Sequence, residues 1–113
     1  MSTKAMYDAW WRRFGLETYR PDFRWFQQNW FMRRFNLEWE DWEGLVKGNT
    51  VIELGMGAGA FLRTIIEAHP RLVVGVDQTE AGTAIAGKMY DEAIGRTAVL
   101  LAEQAIKKAE SEG

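Results

Sequence analysis

The pattern of hydrophobic and polar positions in the middle of the chain predicts a strand, a loop, a helix and a second strand. Val51, Ile52 and Leu54 form a short apolar run, and glycines then occupy alternate positions from 55 to 59. A helical pattern follows, with an apolar stripe suited to lying against a sheet: Phe61, Leu62, Ile65 and Ile66. A second continuous apolar run ends on Asp77, as expected for a buried parallel strand. The stretch from Thr50 to Asp77 therefore predicts a βαβ unit.

The alternate glycines of this unit indicate a nucleotide site. Glycine allows the positive φ of a sharp turn, and a Cβ would hold the backbone away from a ligand. An acid at the end of the second strand can accept hydrogen bonds from both hydroxyls of a ribose. The other interpretation is a tight strand-to-helix turn that binds nothing, although three alternate glycines cost backbone entropy that a plain turn does not require.

Two motifs of this unit resemble a known family. Glu53, Gly55, Gly57 and Gly59 resemble the acid-x-Gly-x-Gly-x-Gly motif of class I S-adenosylmethionine-dependent methyltransferases, and GVD, ending at Asp77, resembles their second motif. The resemblance implies an α/β fold built on a minimal Rossmann-like βαβ unit. It implies S-adenosylmethionine or S-adenosylhomocysteine as cofactor, bound by Glu53, Gly55, Met56, Gly57, Gly59, Asp77 and Gln78.

A dinucleotide site is the competing interpretation, because Gly55, Gly57 and Ala60 also fit the dehydrogenase fingerprint. Glu53 favours the first interpretation. Its carboxylate would repel a pyrophosphate at the loop, whereas it would attract a ligand that carries a sulfonium and an ammonium group.

Residues 1–49 are predicted to form a helical lead-in. A first helix is capped by Ser2 or Thr3 and runs to about Phe14, and a second begins at Pro21 and is ended by Asn36. A short helical turn is expected at 39–43. This segment loosely resembles the lead-in that forms a lid over the ligand in many small-molecule methyltransferases, while the simpler interpretation of its aromatic residues is core and interface packing.

The second helix carries more aromatic surface than a single stripe. Its predicted inward stripe is formed by Phe23, Phe26 and Trp30, continued by Arg33 or Arg34. Trp25 and Phe31 widen that surface, so the helix is expected to be sandwiched on two sides or to meet another chain.

Residues 78–113 are predicted to form a long C-terminal helix, from about Glu80 to Ala109, capped by Thr79. Gly87 and Gly95 argue against it, at about 1 kcal/mol each relative to alanine. The alternative makes Thr97 to Ala102 a third parallel strand. In either case the 113 residues are expected to form one domain.

Composition narrows the classes of partner. The chain has 14 basic and 16 acidic residues, a net charge of −2, one histidine and no cysteine. We therefore expect no metal site, no nucleic-acid partner and no membrane segment, and a cytoplasmic protein.

The resemblance covers the first part of a methyltransferase and stops before the strand that faces the acceptor. Because a small parallel sheet leaves open edges, we expect an oligomer, most simply a dimer that buries Trp25, Trp30 and Phe31 and covers a sheet edge. A second protein could serve instead. Three classes of function stay open: a methyltransferase for a small-molecule acceptor, completed between chains; a cofactor-binding module without catalysis; and a structural or partner-binding remnant.

The sequence identifies no catalytic residue. The side chains considered as acid or base lie in no recognisable catalytic spacing, and His69 before Pro70 is typical of a helix end. They are Tyr7, Tyr19, Tyr90, His69 and Asp91.

Overall fold

The computed structural model describes residues 2–90 and 97–112, which form six α-helices, one short 3₁₀ helix and three strands. In chain order these are α1 Thr3–Phe14, the 3₁₀ helix Gly15–Tyr19, α2 Pro21–Arg34, α3 Trp39–Val46, β1 Thr50–Leu54, α4 Leu62–Ile66, β2 Leu72–Asp77, α5 Glu80–Met89, β3 Thr97–Leu101 and α6 Ala102–Glu112. Asp91 and Gly95, weighed above as a candidate acid and a helix break, lie outside the described residues.

The predicted βαβ unit is confirmed. β1 pairs with β2 in parallel, with Val51 opposite Val73 and Leu54 opposite Val76. Helix α4 packs on this pair at Gly75, where an added Cβ would lie 2.9 Å from a methyl group of Leu62. The absence of a side chain at this position lets the helix approach the sheet closely.

The predicted long C-terminal helix is wrong, and the alternative third strand is correct. α5 ends at Met89, and β3 pairs in parallel with β2, giving the strand order β1-β2-β3. Ala102 belongs to α6 and not to the strand. β2 would otherwise leave its second row of peptide groups without partners, and this long-range pairing outweighs the local helix preference of alanine and leucine.

The N-terminal helices begin where their capping residues predict. The Ser2 hydroxyl accepts a hydrogen bond from the amide of Ala5, and Pro21 occupies the first turn of α2. Asn36 follows α2 with a φ of 52°, in the left-handed region. Gly15, in contrast, keeps a right-handed conformation and leads directly into the 3₁₀ helix.

The predicted inward face of α2 points to solvent. Phe26 and Trp30 are 63% and 57% exposed, whereas Phe31 is half-buried against the rings of Trp42 and Phe61. Aromatic residues lie on both sides of this helix, so periodicity alone could not decide which side faces the core.

One face of the sheet is open in the described part of the chain. Ile52 and Leu54 on β1 are 60% and 78% exposed, and β1 is an edge strand there. Apolar residues on an unpaired edge strand are a common site of association with another strand or another polypeptide chain.

Trp42 links the lead-in to the βαβ unit. Its indole is buried, packs near Phe31 and Phe61, and donates a hydrogen bond of 3.1 Å to the carbonyl of Thr64. Trp42→Phe should lower the free energy of unfolding by about 1 to 3 kcal/mol, because it leaves a buried carbonyl without its donor and creates a small cavity. Urea denaturation measures the change.

The matched control is Trp10→Phe, at an indole of α1 that is 55% exposed, for which we expect a change within about 0.5 kcal/mol. Equal losses for the two variants would show that the Thr64 bond contributes nothing specific.

Candidate functional site

The glycine loop joins β1 to α4 and has the backbone geometry that its sequence predicts. Gly55, Gly57 and Gly59 have φ values of 74°, 61° and 87°, in the region that side chains disfavour. The amides of Gly55 and Met56 both donate to the carbonyl of Val76, at 2.8 and 3.0 Å. The loop is therefore attached to the carboxyl end of β2 as well as to its own strand.

Two tyrosines hold the loop from the other side. The hydroxyl of Tyr19 donates to the carbonyl of Ala58 at 2.5 Å, and that of Tyr90 donates to the carbonyl of Gly59 at 2.7 Å. Burial is the main cause that raises the pKa of both phenols above their usual value. Both hydroxyls thus stay protonated and serve as donors to the loop, which argues against either tyrosine as a base.

Asp77 is the junction of this site. Its Oδ1 accepts from the amide of Gly57 at 3.2 Å, and its Oδ2 accepts from the amide and the hydroxyl of Thr79 at 3.1 and 2.5 Å. Since each carboxylate oxygen accepts about two hydrogen bonds, Oδ1 has one acceptor position left for a ligand. The Thr79 hydroxyl in turn accepts from Gly82, which caps α5 as the sequence predicts.

Glu53 is the polar group without a partner in this region. It lies near the end of β1, and its Oε2 is buried with no hydrogen-bond partner within the described residues. Burial raises the pKa of the Glu53 carboxyl to about 7, and the neighbouring negative charge of Asp77 acts in the same direction. A buried carboxyl group without a donor indicates that a donor or a cation is expected there.

Helix α1 lies directly over the loop. A Cβ built on Gly57 would be 2.3 Å from the indole of Trp11, so the indole is packed against this glycine. Three residues earlier, the Asp8 carboxylate accepts a hydrogen bond of 2.9 Å from the amide of Ala81 in the first turn of α5. That bond and Arg12 lower the pKa of Asp8. α1 therefore occupies the space above the central glycine.

The predicted site residues divide into two groups. The structure brings the acid of β1, the glycines and Asp77 together around the loop, with Gln78 exposed beside them. Met56 contributes only backbone, because its side chain is buried in the core, where a Cβ on Gly75 would lie 2.4 Å from its sulfur.

The remaining acid or base candidates contribute no such contact. Tyr7 is 46% exposed on α1, and His69 is exposed with a φ of 61° after α4. Sequence reasoning missed Asp8 and Trp11, since their spacing of three is indistinguishable from ordinary helix periodicity and their contacts lie more than 40 residues away.

Other features of the described residues lie apart from the loop. A groove of about 480 Å³ runs along α2 and is lined by residues of that helix alone. Within residues 2–90 and 97–112, no cluster of three or more acidic or histidine side chains could hold a metal ion. No helix in these ranges combines the length and the apolar character needed to cross a membrane.

No protein-family model matches the sequence, and no curated protein matches it. Solved structures do match. The complex between the Haloferax volcanii Trm112 methyltransferase activator and its methyltransferase partner contains a chain that superposes with a TM-score of 0.56 at 21% identity, over 88% of this chain and 39% of that one. A SAM-dependent methyltransferase from Aquifex aeolicus superposes with a TM-score of 0.50 at 18% identity, over 89% of this chain and 47% of that one.

These likenesses show the fold. The described chain has the α/β fold of S-adenosylmethionine-dependent methyltransferases, over less than half the length of the two proteins that it matches. The predicted resemblance in fold is thereby confirmed.

The raised pKa of Glu53 makes stability depend on pH. Because the carboxyl has a pKa of about 7 in the folded protein and an ordinary value of 4.5, the folded state keeps its proton longer than the unfolded chain. Stability should fall as pH rises from about 4.5 to about 7 and then level off, by at most about 3 kcal/mol. Denaturation curves at several pH values measure this slope.

Glu53→Gln should remove the slope, because its amide does not titrate. The control is Glu40→Gln, at an exposed carboxylate of α3, which should keep the wild-type profile. A slope that persists in Glu53→Gln would assign it to another group.

Proposed function

We propose that the chain binds S-adenosylmethionine or S-adenosylhomocysteine at the glycine loop. The observation that carries this proposal is the carboxyl of Glu53, buried beside the loop with one oxygen lacking a donor. Both ligands carry an ammonium group, and S-adenosylmethionine also carries a sulfonium. These groups supply a positive charge beside the carboxyl groups of Glu53 and Asp77.

The other residues of the site fit the same ligand. Gly55 leaves open space where a side chain would lie, and Gly57 offers bare backbone once Trp11 moves away. The remaining acceptor position on Asp77 Oδ1 suits one ribose hydroxyl. Gln78 is exposed next to Asp77, and we assign it to the same end of the ligand. The fold shared with the Aquifex aeolicus SAM-dependent methyltransferase supports this assignment.

We extend the proposal to methyl transfer. Bound at the glycine loop by Glu53 and Asp77, S-adenosylmethionine would supply an electrophilic methyl group for a nucleophile of the acceptor. The chain itself binds the cofactor, holds the loop through Tyr19 and Tyr90, and excludes water with α1. Catalysis of this kind comes from positioning, and the acceptor is a small molecule.

The active site would be completed by a second chain. The exposed apolar residues Ile52 and Leu54 of β1 mark the edge where further strands or another chain would join the sheet. A copy of this chain or a different protein could fill that place. The Haloferax volcanii methyltransferase, which was solved with an activator protein, supports a partner chain as one arrangement.

A second candidate function is cofactor binding without catalysis. Both tyrosine hydroxyls near the loop are already engaged as donors, and His69 lies elsewhere, so the described residues offer no evident base. A third candidate, a dinucleotide-binding fragment, requires two phosphates next to Glu53 and Asp77. The negative charge of Asp77, which already acts on Glu53, disfavours them. Transfer of a labelled methyl group separates the first function from the second.

Cofactor binding should release a proton near pH 6. The free protein holds a proton on Glu53, whose pKa is about 7, and the ammonium group of the ligand favours the ionised carboxylate. Calorimetry with S-adenosylhomocysteine in buffers of different ionisation enthalpy should therefore report release of about 0.5 to 1 proton. Glu53→Gln should lose this release and bind more weakly.

Asp77→Asn is the companion variant, expected to weaken binding by about 1.5 to 3 kcal/mol, the range for hydrogen bonds to a charged group. The proposal fails if neither cofactor binds at millimolar concentration while a nicotinamide dinucleotide does.

Trp11 should act as a barrier to binding. Any ligand group that touches Gly57 must displace the indole that is packed there. Trp11→Ala should therefore speed association of S-adenosylhomocysteine by roughly three- to tenfold, since the competent open state needs no displacement. Stopped-flow fluorescence measures the rate. Trp10→Ala, at an exposed indole on the same helix, is the control and should leave the rate unchanged; slower association in Trp11→Ala would instead make Trp11 a ligand contact.

A further inference from the structure

The outer face of α2 carries an aromatic row that neither the core nor the glycine loop uses. Phe23, Phe26 and Trp30 are 40%, 63% and 57% exposed. Their offsets of three and four place them along one exposed line of the helix, whereas Phe31, on a neighbouring face, packs inward. Rings in such a row are costly to leave in water.

Charged residues stand at the two ends of this row with opposite sign. Asp22 lies in the first turn of α2, and Arg33 and Arg34 lie in its last turn. Asp22 and Arg33 are eleven residues apart, which is about three turns and about 16 Å, so they share one margin of the row. Phe23 and Arg34 have the same separation and share the other margin.

This face of α2 is complementary to the same face of a second α2 helix that runs in the opposite direction. In an antiparallel pair of α2 helices centred between Phe26 and Trp30, the acidic end of one helix meets the basic end of the other. Neither Arg33 nor Arg34 forms an ion pair within the described residues, and Asp22 has only a 3.7 Å contact with Arg20.

We propose that this face is a two-fold symmetric interface in which α2 packs antiparallel on α2 of a second copy of the chain. Asp22 faces Arg33 of the second copy on one margin, and Phe23 lies under Arg34 of the second copy on the other. At the centre, Phe26 packs on Trp30 of the second copy, and the groove beside these rings, lined by Trp25, Asn29 and the two arginines, receives the edge of the opposing indole. Each contact occurs twice because of the two-fold axis.

The second copy fits this face better than a membrane does. An anionic lipid surface favours basic residues along the whole rim of an aromatic row, whereas here an acid stands at one end. The aromatic centre supplies the affinity, while the charges determine orientation and register. This inference goes beyond the proposed cofactor site and does not depend on it.

Light scattering coupled to size exclusion tests the interface on the full chain. At micromolar concentration we expect a mass of about twice the 13.0 kDa of one chain. Trp30→Ala should raise the dissociation constant by at least about tenfold, as expected for a central aromatic anchor. Trp10→Ala is the matched control, because Trp10 is 55% exposed on α1, and it should leave the constant unchanged.

Charge reversal tests the orientation. Asp22→Arg places two arginines opposite each other, and Arg33→Asp places two acids opposite each other, so each variant alone should weaken the dimer. An equimolar mixture of the two should form a heterodimer by native mass spectrometry, since both contacts between positions 22 and 33 then pair unlike charges. Arg13→Asp on α1 is the charge-matched control and should neither weaken the dimer nor pair with Asp22→Arg.

Three results would overturn the inference. The first is a 13.0 kDa monomer at every concentration. If Trp30 of that monomer also binds anionic vesicles, the partner of this face is a membrane surface. The second is a dimer that Trp30→Ala leaves intact, which places the interface elsewhere. The third is failure of the two charge variants to complement each other, which excludes the antiparallel register.

Discussion

The contact between the carboxylate of Asp77 and the amide of Gly57 is the interaction on which the rest of the structure depends. It attaches the glycine loop of one strand to the end of the next, while the second carboxylate oxygen holds Thr79 and thereby the start of α5. One side chain thus determines the position of the loop and the direction of the following helix. Because Asp77 is buried, these hydrogen bonds act in a low dielectric, where they are stronger than in water.

The same burial has an electrostatic cost at Glu53. Two ionised carboxylates near one loop repel each other unless a positive group lies close to them. Glu53, which lacks a donor, is the one whose pKa rises. A site with this imbalance favours a cation and disfavours a phosphate. In the proposed cofactor site, charge is therefore the property that would select the ligand.

The lead-in has two roles that its aromatic content alone does not separate. Trp42 and Phe31 join it to the βαβ unit through ring contacts in the core. Trp11 and Asp8 instead place α1 over the loop. No residue of α1 is fully buried. α1 is therefore held by less buried surface than α3, which Trp42 and Val46 anchor in the core.

Local signals were enough to predict the glycine loop and the capping residues, because positive φ requires glycine and Ser2 and Thr79 bond to amides three residues ahead. The βαβ unit and the resemblance in fold were predictable as well, because the glycines end the first apolar run and leave no continuous helical pattern to compete with a strand. Only the tertiary structure decided that residues 97–101 form a strand, since the hydrogen bonds that stabilise it come from β2, about 24 residues earlier in the register of the sheet. The same holds for the outward face of α2 and for Trp11 over Gly57. In those cases the local pattern permits several answers, and the contact that chooses one lies far along the chain.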